Sequence, residues 1–351
     1  MIVRRLSSTA VLRTLACVVF LSCTAMADSL RVGLIGLDSS HCEQFTLRLN
    51  DPANPNHVPG ARVVAAFPGG SPDLPESAGR VAGYTALLRD KFGVRIFDSL
   101  AAVCAEVDAV MILSVDGRPH LEQARQVAAA GKPFFLDKPV AASLADAVAV
   151  FRAAEAAGVP MFSASAIRWF PGVVEVATAE STPALGALSY GPAPILPHHP
   201  DLFFYGIHAT EALFTVMGGE CLEVRRTNGR DVSVVTGLWR GGRVGTLHAL
   251  HRLPMDSTHY KLVRFGEKSV VEQKSQGDYT PLLREIVRFF QTRQAPLSAR
   301  ETLQIYAFME AAEESQRQGG RSVRLREVLL RAGAPEAWLP QEEAAASGGS
   351  N

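Results

Sequence analysis

Five short runs, RVGLIGL, ARVVAAF, DAVMILS, PFFLD and VPMFSAS, are apolar on both faces and are separated by stretches of helical length rich in alanine. A strand that is apolar on both faces must be covered on both, which is the situation of a parallel sheet flanked by helices. The helical stretches HLEQARQVAAAG and SLADAVAVFRAAEAAG each end in a glycine suited to a left-handed helix stop. The alternation predicts a doubly wound parallel sheet. Segment 67–85, FPGGSPDLPESAGRVAGYT, carries too much Gly, Pro and Ser for a strand or a long helix and reads as a loop insertion.

After Arg168 the pattern changes. A helix is expected at YGIHATEALFTVMG, followed by strand-like runs CLEVRRTN, DVSVVTGLWR, GRVGTLHALHR and HYKLVRFG, with Gly-bearing turns such as RGGR between them. YTPLLREIVRFFQTR and SARETLQIYAFMEAAEESQRQGG read as amphipathic helices. The fold class is therefore α/β: an N-terminal Rossmann-like doubly wound parallel sheet plus a C-terminal α+β domain with a mostly antiparallel sheet. At 351 residues two cores are the ordinary expectation. The boundaries fall at 28–166 and 167–335, with a disordered tail over 336–351.

Residues 1–27 combine an arginine-bearing start, a short apolar core and an Ala25-Met26-Ala27 ending. That is the form of a cleaved signal peptide, and the apolar run is too short to span a bilayer. Cleavage after Ala27 places the mature protein in the periplasm or outside the cell, with no transmembrane segment. Arg4-Arg5 matches twin-arginine export, which carries folded proteins. Lys+Arg and Asp+Glu both number 35, and removing 1–27 takes away Arg4, Arg5 and Arg13 and no acid, so the mature chain stays close to neutral. Such a balance argues against a nucleic-acid partner and for a small molecule. Of five cysteines, Cys42, Cys104 and Cys221 follow the signal; an odd, scattered set reads as buried thiols and not as a disulfide framework. No Cys/His cluster argues for a metal, and His198-His199 between prolines reads as part of a loop lining the substrate entrance.

The first strand runs into Gly33-Leu34-Ile35-Gly36-Leu37-Asp38-Ser39-Ser40-His41. A strand, a glycine turn and a helix start place free N–H groups and a positive helix end where a pyrophosphate can sit. Gly33 and Gly36 keep that turn. Asp38 stands where a second glycine lets phosphate oxygens approach, and no acid ends ARVVAAF to hold ribose hydroxyls. Two readings stay open. In one, Asp38 turns to a ribose hydroxyl or caps the helix while Ser39, Ser40 and His41 donate to phosphate. In the other, the scaffold is without nucleotide. Further on, His120 starts a helix, and Asp137-Lys138-Pro139 follows an apolar strand, which points Lys138 into the ligand crevice.

With Ala130-Gly131-Lys132, Asp137-Lys138-Pro139, Gly206-Ile207-His208 and Arg168 before Pro171, the chain resembles the glucose-fructose oxidoreductase and inositol dehydrogenase family, Gfo/Idh/MocA. The resemblance implies an NAD or NADP site drawing on Gly33, Gly36, Asp38, Ser39, Ser40, His41, His120, Asp137 and Lys138. It implies hydride transfer at a sugar or cyclitol hydroxyl, with His208 as general acid/base and Lys138 orienting the oxygen. A homo-oligomer is expected as in relatives. Family dehydrogenases often carry an aspartate one turn before this histidine, where this chain has Phe204. Asp201 lies two turns before His208, as a site partner or a helix cap, and Tyr205 and Arg168 are further substrate candidates. Two other functions stay open: a noncatalytic carbohydrate-binding relative that has lost the cofactor, and NAD-assisted glycoside hydrolysis.

Overall fold

The computed structural model describes residues 29–341. The signal-peptide expectation for 1–27 and most of the tail lie outside the described residues. The first half runs β1 (Leu30–Ile35), α1 (Ser40–Asn50), β2 (Ala61–Phe67), α2 (Pro75–Ala78), α3 (Val81–Phe92), β3 (Arg95–Ile96), α4 (Leu100–Glu106), β4 (Ala109–Ile112), α5 (His120–Ala129), β5 (Phe134–Leu136), α6 (Leu144–Ala156) and β6 (Met161–Phe162). Its six strands are all parallel, in the order β3-β2-β1-β4-β5-β6. All five apolar runs become strands here, and β3 adds a short sixth that two residues of periodicity did not reveal. The strand order reverses between β1 and β4, which defines the crevice where this kind of sheet takes its ligand.

Two glycines make the reversal possible. A Cβ on Gly33 would lie 2.5 Å from Val103, so only glycine lets α4 press onto β1. Gly36 has φ +89° and would put a Cβ 2.4 Å from the Ser114 backbone nitrogen, so the turns after β1 and β4 touch backbone to backbone. Serines cap the helices: Ser99 accepts from Ala102 N–H at 3.2 Å, Ser143 from Asp146 N–H at 3.0 Å and Ser298 from Glu301 N–H at 3.1 Å.

The second half runs α7 (Pro171–Ala177), β7 (Gly186–Pro192), α8 (Gly206–Met217), β8 (Cys221–Asn228), β9 (Val232–Trp239), β10 (Arg243–Leu250), β11 (Lys261–Phe265), β12 (Val270–Glu272), α9 (Thr280–Thr292), α10 (Ala299–Arg317), β13 (Val323–Arg324) and α11 (Leu325–Arg331). The seven strands lie in the order β12-β11-β7-β10-β9-β8-β13, antiparallel except for the parallel pair β7 and β10. Helices α8 and α10 cover one face, while Leu238, Val244, Phe265 and Val270 on these strands remain exposed. One apolar core runs through both sheets, from Val32 and Phe135 to Phe214 and Trp239. Cys42, Cys104 and Cys221 are buried and free, and burial pushes the Cys42 thiol up to about 12. Among the described residues no helix is long and apolar enough to cross a membrane.

Segment 67–85 is not a loose loop. Pro75 occupies the first turn of the short helix α2, and α3 begins at Val81, so the glycine-proline content terminates and restarts helices and does not prevent them.

Candidate functional site

A cavity of about 320 Å³ opens between the two sheets. The start of α1 contributes Ser39, Ser40 and His41, the strand end after β5 contributes Asp137 and Lys138, and α8 contributes His208 with Tyr205 just before it. Lys138 is only 7% exposed, and among the described residues no carboxylate lies within ion-pair distance of its ammonium. Its Nζ sits 4.7 Å from the centre of the Tyr205 ring, a cation–π contact that holds the charge without neutralising it. Beneath it, Asp137 is buried, accepts the Lys138 N–H at 2.8 Å and pairs with His41 Nδ1. Burial pushes the Asp137 carboxyl up, but the His41 ring and the Lys138 ammonium outweigh it and hold it below the usual carboxylate range.

His208 is partly open to the cavity, with the Tyr205 ring 5.4 Å and the Tyr260 ring 5.3 Å away. Its pKa is held well below the usual histidine value, chiefly by burial and then by the Lys138 and His41 charges. Its Nδ1 lies 2.6 Å from Ser165 Oγ, and that oxygen already accepts the Ile167 N–H at 3.2 Å. The serine hydroxyl can donate to Nδ1, and a neutral ring held that way carries its own proton on Nε2. Glu211, one turn further along α8, accepts the Ser165 N–H at 2.7 Å and fixes the serine in turn. The sequence offers no motif for Ser165, Tyr260 or Tyr279, although Ser165 stands just past β6, at the carboxyl edge where such sheets place functional groups.

Residues 30–165 match the family model described as the oxidoreductase family with the NAD-binding Rossmann fold. Over that segment the chain is similar to the Gfo/Idh/MocA oxidoreductases. No match to a curated protein sequence was found. Among solved structures, an oxidoreductase from Agrobacterium radiobacter in complex with NAD+, L-tartaric acid and magnesium is 18% identical, with a TM-score of 0.67 over 85% of this chain and 98% of its own. Myo-inositol dehydrogenase from Lactobacillus casei in complex with NAD(H) and myo-inositol is 16% identical, with a TM-score of 0.66 over 84% of this chain and 96% of its own. At these identities the likeness establishes the shared fold.

In a Gfo/Idh/MocA Rossmann domain a dinucleotide would cross the crevice at the switch point, its pyrophosphate over the turn after the first strand. In this chain that space holds protein. Asp38 is 0% exposed; its Oδ1 accepts the Val115 N–H at 2.9 Å and its Oδ2 accepts the Ser77 hydroxyl at 2.7 Å. The Gly36 and Leu37 N–H groups are also taken, by the carbonyls of Phe67 at 3.0 Å and Pro68 at 2.7 Å. Ser77 and Leu74, from the segment around α2, are buried over the turn. The Gly36 and Leu37 amides and the place of the second glycine are thus closed to a phosphate, while Ser39, Ser40 and His41 line the cavity.

Asp38 neither faces a ribose nor caps α1; Ser39 holds the N-cap position. The Ser39 hydroxyl donates to Leu113 O at 3.2 Å, and His41 is committed to Asp137, so neither is a free phosphate donor. His120 is fully buried, with Nδ1 2.8 Å from Pro139 O and Nε2 3.0 Å from Ser114 O. It clamps the turn after β4 to the Lys138-Pro139 turn and does not line the cavity. Arg168 is drawn away from the cavity by Glu211 and Glu301, each at 2.9 Å, and Asp201 pairs with Arg226 at 2.9 Å. His199 does not line an entrance: it is buried with Nε2 3.2 Å from Gly117 N and 3.3 Å from Asp116 Oδ1. Phe204 is buried against Leu74 and Val115, where a carboxylate would be stranded.

Proposed function

We propose that the interdomain cavity binds a small polyhydroxylated molecule of the sugar or cyclitol class and that Lys138 and His208 act on one of its oxygens. The observation that carries this reading is a buried ammonium that, among the described residues, has no carboxylate within ion-pair distance and that lines one cavity with His208. Two donors on one substrate oxygen would polarise a carbonyl or favour a developing alkoxide, and the burial of Lys138 strengthens its pull. Tyr205, Tyr260 and Tyr279 supply aromatic faces against which the apolar face of a sugar ring packs. The volume lies at the lower end of ligand pockets, roughly 300–1,000 Å³, which suits a single ring.

A second reading is nicotinamide-dependent hydride transfer on the same substrate class, with NAD or NADP. Similarity to an NAD-binding family favours it, and it requires the crevice to open. We also propose export after removal of residues 1–27, and self-association through the exposed apolar face around Leu238, Val244 and Phe265.

The test is a thermal-shift and calorimetric screen of monosaccharides, cyclitols and their keto and acid forms against wild type, Lys138→Ala and His208→Ala. At least one polyol should stabilise wild type, and its affinity should fall tenfold or more in the Lys138 variant. Binding that survives unchanged in both variants refutes the assignment of the pair.

A further inference from the structure

The turns after β1 and β4 form the two walls of the crevice, and a carboxylate ties them together. A phosphate in this position would be an anionic acceptor taking a backbone N–H and a hydroxyl; Asp38 is an anionic acceptor that takes both, from Val115 at 2.9 Å and Ser77 at 2.7 Å. We propose that Asp38 and segment 68–80 form a built-in substitute for the dinucleotide pyrophosphate, so that the folded protein does not take up free NAD(H) or NADP(H).

The segment is constructed for that place. Gly69 and Gly70, at φ +60° and +106°, turn the chain back over the first turn, and a Cβ on Gly69 would lie 3.5 Å from Gly36 Cα. Pro75 then starts α2, which presents Ser77 inward. The Ser77 hydroxyl accepts the Ser71 N–H at 2.7 Å while donating to Asp38, so it bonds on both sides. The outer end is anchored as firmly. Ser71 donates to Asp116 at 2.6 Å, and Arg118 bridges Asp116 and Asp73, each at 2.7 Å. Leu74, 2% exposed, closes an apolar contact with Val115 and Phe204, which ties the segment to the start of α8. Charge, hydrogen bonding and apolar packing therefore hold one arrangement. A dinucleotide would have to break the Asp38 bonds and bring its own negative charge beside that carboxylate. These contacts hold whichever small ligand the cavity takes.

The test is titration of the full chain with NADH and NADPH, following nicotinamide fluorescence, for wild type, Asp38→Gly and Ser77→Ala. Hydrogen exchange of residues 68–80 and Val115 is measured with and without NADH. Wild type should show no saturable binding up to millimolar concentration and no change in exchange, while Asp38→Gly should bind at least tenfold more tightly. Micromolar binding by wild type, or dinucleotide retained through purification, overturns the proposal. A folded Asp38→Gly that binds no better than wild type overturns it as well. If Asp38→Gly does not fold, the wild-type titration and the exchange pattern decide, and faster exchange of 68–80 on adding NADH counts against it.

Discussion

Replacing His208 with glutamine tests the electrostatics of the cavity through stability alone. Burial, Lys138 and His41 hold the folded His208 pKa well below that of an unfolded histidine, about 6.5. Below pH 6.5 the unfolded chain therefore binds a proton that the folded chain does not, and stability is lost as the pH falls. For one such group the loss is negligible at pH 7.5 and grows toward the order of 1 kcal/mol by pH 5.5. Glutamine keeps an amide able to meet Ser165 and has no proton to gain. Asp38 and Glu211, whose carboxyls burial pushes up, act in the opposite sense with pH. They are present in both proteins and cancel in the comparison. Urea melts at pH 7.5 and 5.5 should show wild type losing more stability than His208→Gln between the two pH values, on the order of 1 kcal/mol. Equal losses would mean that His208 titrates normally, and the neutral N–H donor assigned to it would fall.

Phe204→Ala should cost about 3–5 kcal/mol, as for other buried aromatics, and should speed hydrogen exchange of Leu74 and Ser77, because Phe204 anchors that segment; an unchanged exchange pattern would detach the segment from α8. Gly36→Ala places a side chain at φ +89° and 2.4 Å from Ser114 N, a backbone strain of about 1–3 kcal/mol before any clash, so soluble yield and melting temperature should both drop sharply. N-terminal sequencing of exported protein should begin at Asp28, and Arg4-Arg5→Lys-Lys should block secretion if the twin-arginine route is used; an intact Met1 or a lipid on Cys23 would refute the export reading.

The sequence by itself determined the parallel sheet, the turn built on Gly33 and Gly36, and the position of Lys138 at a strand end. Each is local: a run of apolar residues, a glycine turn, or the step from an apolar strand into Asp137-Lys138-Pro139 leaves its mark within a few neighbouring residues. It did not determine what surrounds those positions. Asp38 reads as an intruder in a phosphate turn until its partners are known, and these lie 39 residues away at Ser77 and 77 away at Val115. Segment 67–85 reads as a loop because its Gly and Pro content is visible, while the packing of Leu74 on Phe204 is not. Arg168 and Asp201 have the right chemistry for a substrate site, but the buried Glu211 and Arg226 claim them first, since a desolvated charge takes the nearest opposite charge. Tertiary structure decided these cases because the energy of a buried polar group depends on the partner brought to it across the fold, and no periodicity along the chain records that partner.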